Sequence, residues 1–324
     1  MNTSIAQSKT NLIDEYGLIG LLAAIFVTIT TSISIFVIAL VWSNKSRLHT
    51  VNHLLVCNTC IASMLYGATV INNFAYLIFG QWGMTMTSCR LQAYFGYSGI
   101  AGVIYSYLTQ AVSRFFFSVL SMKYRWLTTF KTHFILIAIN WITVFLLTSP
   151  AIITNDVTFT FGSICWVPLR NRIHTGYTAF AYYLLPVIVI ILIYICIYVR
   201  VRRTTKNNQS IANSENSQKR DLELLRYILI LLALYLAGGL PTIFYMVTSV
   251  DLIYYISMVS PSFMLIVEKI CTIFLDREIR QIVKRFCCRS TIVQPFNAST
   301  TGRTGTLTMQ QTIRQVNVQK KTVK

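Results

Sequence analysis

The chain has 324 residues, of which 54% are hydrophobic and 12% charged, and its formal net charge is +18 at pH 7. A composition this apolar favours one membrane domain with short loops over two soluble domains. The positive charge alone would suggest nucleic-acid binding, so the placement of the charges along the chain must decide between the two interpretations.

Seven long stretches of the sequence are almost free of charged residues. Each supplies the roughly 20 apolar residues that an α-helix needs to span a hydrocarbon core. A helix also pairs its backbone groups internally, as lipid requires. The sequence therefore predicts an all-α membrane protein, a seven-transmembrane helix bundle over 17–276 that follows an extracellular N-terminus, 1–16. The stretches are 17–42, 52–80, 91–113, 132–154, 175–199, 227–250 and 252–276.

The basic residues fall almost entirely on one side of this predicted topology. That side holds 23 of the 28 lysines and arginines, whereas the other side holds four basic and four acidic residues. The positive-inside rule then places the N-terminus outside and the C-terminus in the cytoplasm, as in a multi-pass plasma-membrane protein. A basic inner face is expected to attract anionic membrane lipids, and this distribution excludes nucleic acid as the partner. The sequon at Asn2 would face outside and predicts a glycan.

Three polar segments lie on the predicted cytoplasmic side. Residues 200–226 are expected to extend helices 5 and 6 around a flexible middle. Residues 277–288 have apolar side chains at the spacing of an amphipathic helix on the membrane surface, and 289–324 form a predicted disordered tail. Cys287 and Cys288 are candidates for palmitoylation; the alternative is two free cytosolic thiols.

Two cysteines of the eight are predicted to face the outside. Cys89 lies at the outer end of helix 3 and Cys165 in the second outer loop. Because that compartment is oxidising, we expect them to form a disulfide that holds the loop over helix 3. Two buried free thiols are the alternative.

Arg114 follows Cys89 by 25 residues, about 37 Å along a helix, which places it at the inner mouth of the bundle. Ser113-Arg114-Phe115 resembles the Asp-Arg-Tyr motif of the rhodopsin-like (class A) family of G-protein-coupled receptors. Residues 121–125 resemble the Pro-Leu-x-Tyr-Arg motif that follows it in that family. Other features of this divergent chain match the family in order over about 17–288, namely Trp82, Trp141, Pro150, Pro186, Tyr194, Leu240-Pro241 and 274–280.

The resemblance implies a switch at the inner face. In the family, an acid at the position of Asp221 pairs with the helix 3 arginine, here Arg114, and holds the inner face closed. Breaking the pair would let helix 6 swing outward about Pro241, where the backbone lacks a hydrogen bond, and admit a heterotrimeric G protein. Tyr194 would then support the open form through Arg114. The remaining residues assigned to coupling or hinges by this resemblance are Lys123, Tyr124 and Pro186.

The chain departs from the family pattern inside the membrane. Ser63 stands where the family has an aspartate in helix 2, and Gly239 stands where it has a tryptophan in helix 6. Helix 7 carries Glu268 and Lys269 where the family has Asn-Pro. Because ionisable residues inside a membrane are costly, we expect Glu268 to replace the carboxylate missing at Ser63. Alternatively, both charged side chains reach toward the inner headgroups; as neighbours on a helix, they are not expected to pair directly.

The ligand pocket is predicted among uncharged residues of the outer half. Gly96 replaces the aspartate of aminergic receptors, and Ser262 replaces the retinal lysine of opsins, so neither a biogenic amine nor retinal is expected. The remaining possibilities are a peptide, a lipid or a small apolar molecule. With Gly96, the candidate pocket residues are Tyr97, Tyr182, Tyr183, Phe244 and Tyr245.

A receptor for an extracellular ligand is therefore the leading interpretation of the sequence. The missing switch residues leave open a seven-helix decoy or scaffold that no longer signals. A transporter would require inverted repeats and several buried charges. An enzyme is least expected, because the four histidines are scattered without metal or nucleophile spacing, and no cofactor is predicted.

Overall fold

In a computed structural model, the described part of the chain is helical, without strands. The structure describes residues 2–44, 48–79, 85–121, 123–154, 156–157, 165–168, 171–207 and 213–289. For the helical residues 2–16, 79, 201–207, 213–228, 231, 235, 251 and 285–289, it describes the backbone alone.

Eight long helices follow one another in this described part. The fifth consists of three consecutive pieces, the middle one a π-helix. Short helical turns at Phe116–Leu120, Arg125–Thr128 and Pro150–Ile153 adjoin the third and fourth helices. The long helices are α1 (Asn2–Ser43), α2 (Val51–Phe79), α3 (Met86–Phe115), α4 (Phe130–Thr148), α5 (Arg172–Thr178, Ala179–Leu184, Leu185–Asn207), α6 (Asn213–Thr248), α7 (Asp251–Leu275) and α8 (Arg277–Arg289).

Each of the seven predicted stretches coincides over most of its length with one of these helices, which confirms the fold class. Among the described residues, five helices are long and apolar enough to cross a membrane, and Leu232–Thr248 of α6 is a shorter apolar stretch. The remaining helix, α3, has 30 residues, about 45 Å, which also suffices to span a bilayer. It is less apolar because it lies inside the bundle and carries buried polar side chains such as Ser106 and Gln110.

The outer surface of the bundle is apolar, as a lipid-facing surface must be. On α4, Ile135, Ile139, Ile142 and Leu146 are each more than half exposed. They recur every three or four residues, so they form one face of the helix. A surface of this kind in water would be an aggregation site, whereas in a bilayer it contacts acyl chains.

Three helices are longer than their predicted apolar stretches. α1 begins at Asn2 rather than at residue 17, so the helix includes the segment predicted as the N-terminus. α5 continues to Asn207, and α6 begins at Asn213. Hydropathy detects only the part of a helix within lipid, whereas polar residues also form helices in water. The extensions predicted over 200–226 are therefore helical, and their predicted flexible middle includes 208–212, outside the described residues.

α3 is the central helix of the bundle. It packs against α2, α4 and α5, while α1 packs against α2 and α7, and α6 against α7. Gly99 lets α2 and α3 approach closely, because a Cβ there would lie 2.5 Å from the backbone nitrogen of Tyr66. One buried helix thus touches both the outer and the inner regions described below.

Helices α6 and α7 are joined by two residues. Ser249 adopts a left-handed conformation with φ 53°, and its N–H donates to the Tyr245 carbonyl at 2.8 Å. This is a common way to end a helix. It fixes the outer end of α6 beside the start of α7.

Candidate functional site

A cavity of about 130 Å³ lies in the outer half of the bundle. Its walls come from α1, α2, α3, α5, α6 and α7, with Trp166 added by the second outer loop. Among the described residues that line it, none is acidic, basic or a histidine. They are Ile19, Gly20, Ala23, Tyr66, Val70, Asn73, Phe74, Leu77, Tyr97, Ile100, Trp166, Thr175, Thr178, Tyr182, Tyr183, Thr242, Ser257, Met258 and Pro261.

The second outer loop is held against the bundle by the predicted disulfide. Cys89 and Cys165 are bonded, with their Cα atoms 5.2 Å apart, so the prediction of paired cysteines is confirmed. The backbone N–H of Cys165 also donates to Oδ1 of Asn73 at 3.1 Å. The loop is thereby attached to both α3 and α2, and its next residue, Trp166, forms part of the cavity wall.

Trp166 and α5 close the cavity on the side of α3. The ring centroid of Trp166 lies 4.2 Å from that of Tyr97, and His174 lies 5.7 Å from Tyr97 on another side. His174 contacts Asp156, with Nδ1 3.3 Å from Oδ2. Hydrogen bonds from Thr154 and from His174, with the charge of His174, lower the pKa of Asp156. The carboxylate of Asp156 therefore contacts His174 rather than lining the cavity.

Half of the predicted pocket residues line this cavity. Tyr97, Tyr182 and Tyr183 do so. Phe244 and Tyr245 do not; Phe244 is 57% exposed on the outer surface of α6, and Tyr245 packs its ring against α7. The sequence identified the outer part of α6 but not which of its faces is turned inward.

Gly96 also lies outside the cavity lining, because Trp166 occupies the space beside it. A Cβ at Gly96 would come within 2.7 Å of Cζ3 of Trp166. The place where an aminergic aspartate would project is thus taken by an indole ring. The expectation that Gly96 borders the ligand is corrected: Trp166, not a ligand, contacts this glycine.

The contribution of α2 to the cavity was not predicted from the sequence. Tyr66, Val70, Asn73 and Leu77 line it together. Their spacing of four, three and four residues is that of one helix face. A search for polar and aromatic residues at helical spacing in the outer half of α2 would have found them.

A buried polar network joins three helices below the cavity. The indole N–H of Trp141 donates to Oδ1 of Asn58 at 2.9 Å, and Nδ2 of Asn58 donates to Oγ of Ser106 at 2.8 Å. Nearer the inner side, Nε2 of Gln110 donates to Oγ1 of Thr59 at 3.0 Å. Buried hydrogen bonds of this kind fix the relative positions of helices, here of α2, α3 and α4, although Oε1 of Gln110 has no partner among the described residues.

Arg114 lies at the inner end of α3, where its spacing from Cys89 predicts it. Its Nη2 donates to Oδ1 of Asn52 on α2 at 2.6 Å, a partner that the sequence analysis did not identify. Asp221 lies on α6, but its side chain is outside the described residues. Tyr194 is buried on α5, and its hydroxyl has no hydrogen-bond partner within the described part of the chain. The predicted Arg114–Asp221 and Arg114–Tyr194 pairs therefore stay predictions.

The inner loop after α3 exposes the predicted coupling residues. Lys123 and Tyr124 are both exposed, and the Lys123 ammonium lies 5.3 Å from the centroid of the Tyr124 ring. This cation–π arrangement leaves both side chains exposed, and their role in coupling stays a prediction.

Glu268 and Lys269 form a buried ion pair in α7. Nζ of Lys269 lies 3.0 Å from Oε2 of Glu268 and donates to Oε1 at 3.3 Å, and the side chains are 1% and 3% exposed. The expectation that helix neighbours do not pair is wrong here: the long lysine chain bends back, and a low-dielectric interior makes an unpaired charge costly. The alternative that both reach the headgroups is also excluded by their burial. Ser63 donates to the Thr59 carbonyl at 2.9 Å, so replacement of its missing carboxylate by Glu268 stays a proposal.

Pro186 is the second residue after the π-helical piece of α5. Proline has no N–H to donate, so the helix before it has spare carbonyls. The hydroxyl of Tyr105 on α3 donates to one of them, the Ala181 carbonyl, at 3.0 Å. This contact attaches the irregular part of α5 to the central helix.

Pro241 lies inside α6, about two turns from its outer end. The carbonyl of Gly238 accepts from Oγ of Ser260 on α7 at 2.8 Å. A Cβ at Gly239 would lie 2.5 Å from the ring of Tyr183, so the tryptophan of the family has no room here. The segment of α6 just before Pro241 is thus hydrogen-bonded to α7 and packed against a tyrosine of the cavity.

The inner end of α7 is bound to α2 through Asp276. Its Oδ1 accepts from the N–H groups of Glu278 and Ile279 and so caps α8, while Oδ2 lies 3.5 Å from Nε2 of His53. Burial alone would raise the pKa of Asp276, but the contact and charge of His53 and these backbone donors lower it. Ile279 and Ile282 are buried, as an amphipathic α8 predicts.

Several predictions fall outside what the structure describes. Trp82, Met122 and the tail 290–324 are outside the described residues. The backbones of Asn2, Cys287 and Cys288 are helical, but their side chains are not described, so glycosylation and palmitoylation stay predictions. Among the described residues, no group of three or more His, Cys, Asp or Glu side chains could hold a metal ion.

Two sites at opposite ends of a seven-helix bundle, one a cavity and one an arginine at the inner mouth, define a receptor-like architecture. The family model described as "7 transmembrane receptor (rhodopsin family)" matches residues 34–294. The chain belongs to this family.

Among the similar proteins are muscarinic acetylcholine receptors. The chain is 28% identical to the M3 receptor of Gallus gallus over 195 residues, 58% of this chain and 30% of that protein. It is 24% identical to the M5 receptor of Homo sapiens over 210 residues, 60% of this chain and 37% of that protein. The chain thus spans about a third of the length of these relatives.

Proposed function

We propose that the protein binds an extracellular ligand in the outer cavity and activates a heterotrimeric G protein at its inner face. The observation that carries this proposal is the position of α3. The same helix supplies Tyr97 to the cavity wall and Arg114 to the inner mouth, where it is bonded to Asn52. A rigid central helix connects binding and coupling without requiring a second domain.

The coupling step proposed is outward movement of α6. Asp221 on α6 and Arg114 on α3 would form a charge-assisted pair that holds the inner ends together. Loss of this pair would favour the open form, which an agonist also favours by binding it more tightly. The orientation proposed is N-terminus outside and C-terminus in the cytoplasm of a plasma-membrane protein, with anionic lipids at the basic inner face.

A non-signalling decoy or scaffold is the second candidate function. The observation that favours it is the buried Glu268–Lys269 pair in α7, where the family resemblance implies Asn-Pro. Such a protein would bind its ligand but would not promote nucleotide exchange.

GTPγS binding separates these two functions. Wild type, Asp221→Ala and Arg114→Ala would be expressed with a panel of Gα proteins, with Glu223→Ala, the same change two residues along α6, as the matched control. Signalling predicts that Asp221→Ala raises basal exchange, Arg114→Ala abolishes it and Glu223→Ala leaves it near wild type. No response of any Gα to well-expressed Asp221→Ala would favour the decoy.

A further inference from the structure

The outer cavity has the size of a small molecule. Its volume of about 130 Å³ is below the ~300–1,000 Å³ of pockets for drug-sized ligands. It is close to the ~150 Å³ of an engineered cavity that binds benzene. The space therefore fits a single ring with a short substituent.

Among the described lining residues, none offers a charge to neutralise an ion. The carboxylate of Asp156, in the described part of the second outer loop, contacts His174. Burying an ion without a counter-charge or hydrogen bonds is far more costly than burying a neutral group. The tyrosine and tryptophan rings attract cations, so an amine probe must be compared directly with a neutral one.

The position from which an amine would be held is physically filled. Trp166 lies against Gly96 so closely that a Cβ there would be 2.7 Å from its ring. Trp166 is fixed because it follows Cys165, which is bonded to Cys89. The disulfide restrains the backbone next to Trp166, which favours this position of the ring.

One lining amide has a donor available to a ligand. Asn73 uses its Oδ1 to accept from the backbone of Cys165, and within the described residues its Nδ2 makes no hydrogen bond. Its side chain is almost entirely buried yet borders the cavity. A carbonyl or hydroxyl oxygen of a ligand would satisfy this donor.

We propose that the outer cavity binds a small, uncharged, largely apolar molecule that carries one hydrogen-bond acceptor directed at Nδ2 of Asn73. This inference rests on the proposed function, because it names the ligand class for the same cavity. The ligand class differs from that of the muscarinic relatives, whose name states that they are receptors for acetylcholine, a cation.

Four single-ring probes test the ligand class: benzyl alcohol, toluene, benzylamine and benzoate at pH 7.4. Binding to purified receptor in lipid nanodiscs would be titrated by saturation-transfer NMR. Benzyl alcohol is expected to bind at least tenfold more tightly than benzylamine or benzoate. Val70→Trp, which fills the cavity, is expected to abolish specific binding and thereby separates it from partitioning into lipid.

The role of Asn73 is tested with Asn73→Leu, with the exposed neighbour Asn72→Leu as the matched control. Asn73→Leu is expected to weaken benzyl alcohol about tenfold and toluene less than twofold, whereas Asn72→Leu changes neither. Equal loss of both probes in Asn73→Leu would show that the residue only supports the loop, and would overturn its assignment as donor.

The ligand class is overturned if benzylamine or benzoate binds as tightly as benzyl alcohol, or if Val70→Trp leaves binding unchanged. The proposed function fails separately. If neutral ligands occupy the cavity but GTPγS exchange stays unaffected by ligand and by Asp221→Ala, coupling is rejected and the ligand class stands.

Discussion

The buried Glu268–Lys269 pair allows a quantitative prediction. Both side chains are almost fully enclosed, and their charged atoms are 3.0 Å apart. Lys269→Met leaves a carboxylate buried without its partner, and Glu268→Gln leaves an ammonium in the same position. Breaking one side of a buried pair costs about 3–5 kcal/mol, whereas replacing both partners is often neutral or stabilising. Each single variant should therefore be much less stable than the double variant.

The measurement is the apparent melting temperature of purified receptor in detergent, followed by far-UV circular dichroism. Each single change should lower it by about 10 °C, from roughly 2–4 °C per kcal/mol for a chain of this size. The double variant should melt within a few degrees of wild type. Lys131→Met, at an exposed lysine of α4, is the matched control and should have little effect. A double variant whose loss equals the sum of the two single losses would refute the pairing argument.

Three further predictions follow from other contacts. Asp276→Ala should destabilise the receptor by about 0.5–2 kcal/mol through loss of the α8 cap. Because the folded pKa of Asp276 is lowered, the stability that its charge contributes should be present above about pH 4 and should be lost as pH falls through the folded pKa. The measurement is the melting temperature as a function of pH. Gly96→Asp should cost about 1–3 kcal/mol by overpacking against Trp166, and an added Trp166→Ala should recover most of the loss; thermal stability unchanged by Gly96→Asp alone would contradict the close contact. If Glu268 replaces the carboxylate missing at Ser63, Ser63→Asp with Glu268→Asn should retain GTPγS exchange; a loss in the double as deep as in either single would reject that replacement.

The fold was predictable because lipid imposes a simple requirement on sequence. A long uncharged stretch must form a helix, and every predicted stretch is helical. The same reasoning predicted the Cys89–Cys165 bond and the inner position of Arg114, since both follow from which side of the membrane a residue reaches. It did not predict the helix over 2–16, because residues outside lipid carry no such constraint.

The details of the site were less predictable because they depend on which way a helix face is turned. Phe244 and Tyr183 look equivalent in sequence, yet one faces outward and the other borders the cavity. Trp166 lies in a loop, so no periodicity indicates that it fills the space beside Gly96. The Glu268–Lys269 pair formed against the rule for exposed helices, because that rule omits the cost of burial.

Pro241 divides α6 into two arms of unequal length, because the helix ends at the two-residue turn that contains Ser249. About seven residues lie between Pro241 and the fixed outer end, and about 28 between Pro241 and Asn213. At 1.5 Å per residue these arms measure roughly 10 Å and 42 Å. On the proposed mechanism, a rotation of α6 about Pro241 moves the cytoplasmic end about four times as far as the outer end, because the displacement is proportional to the length of each arm.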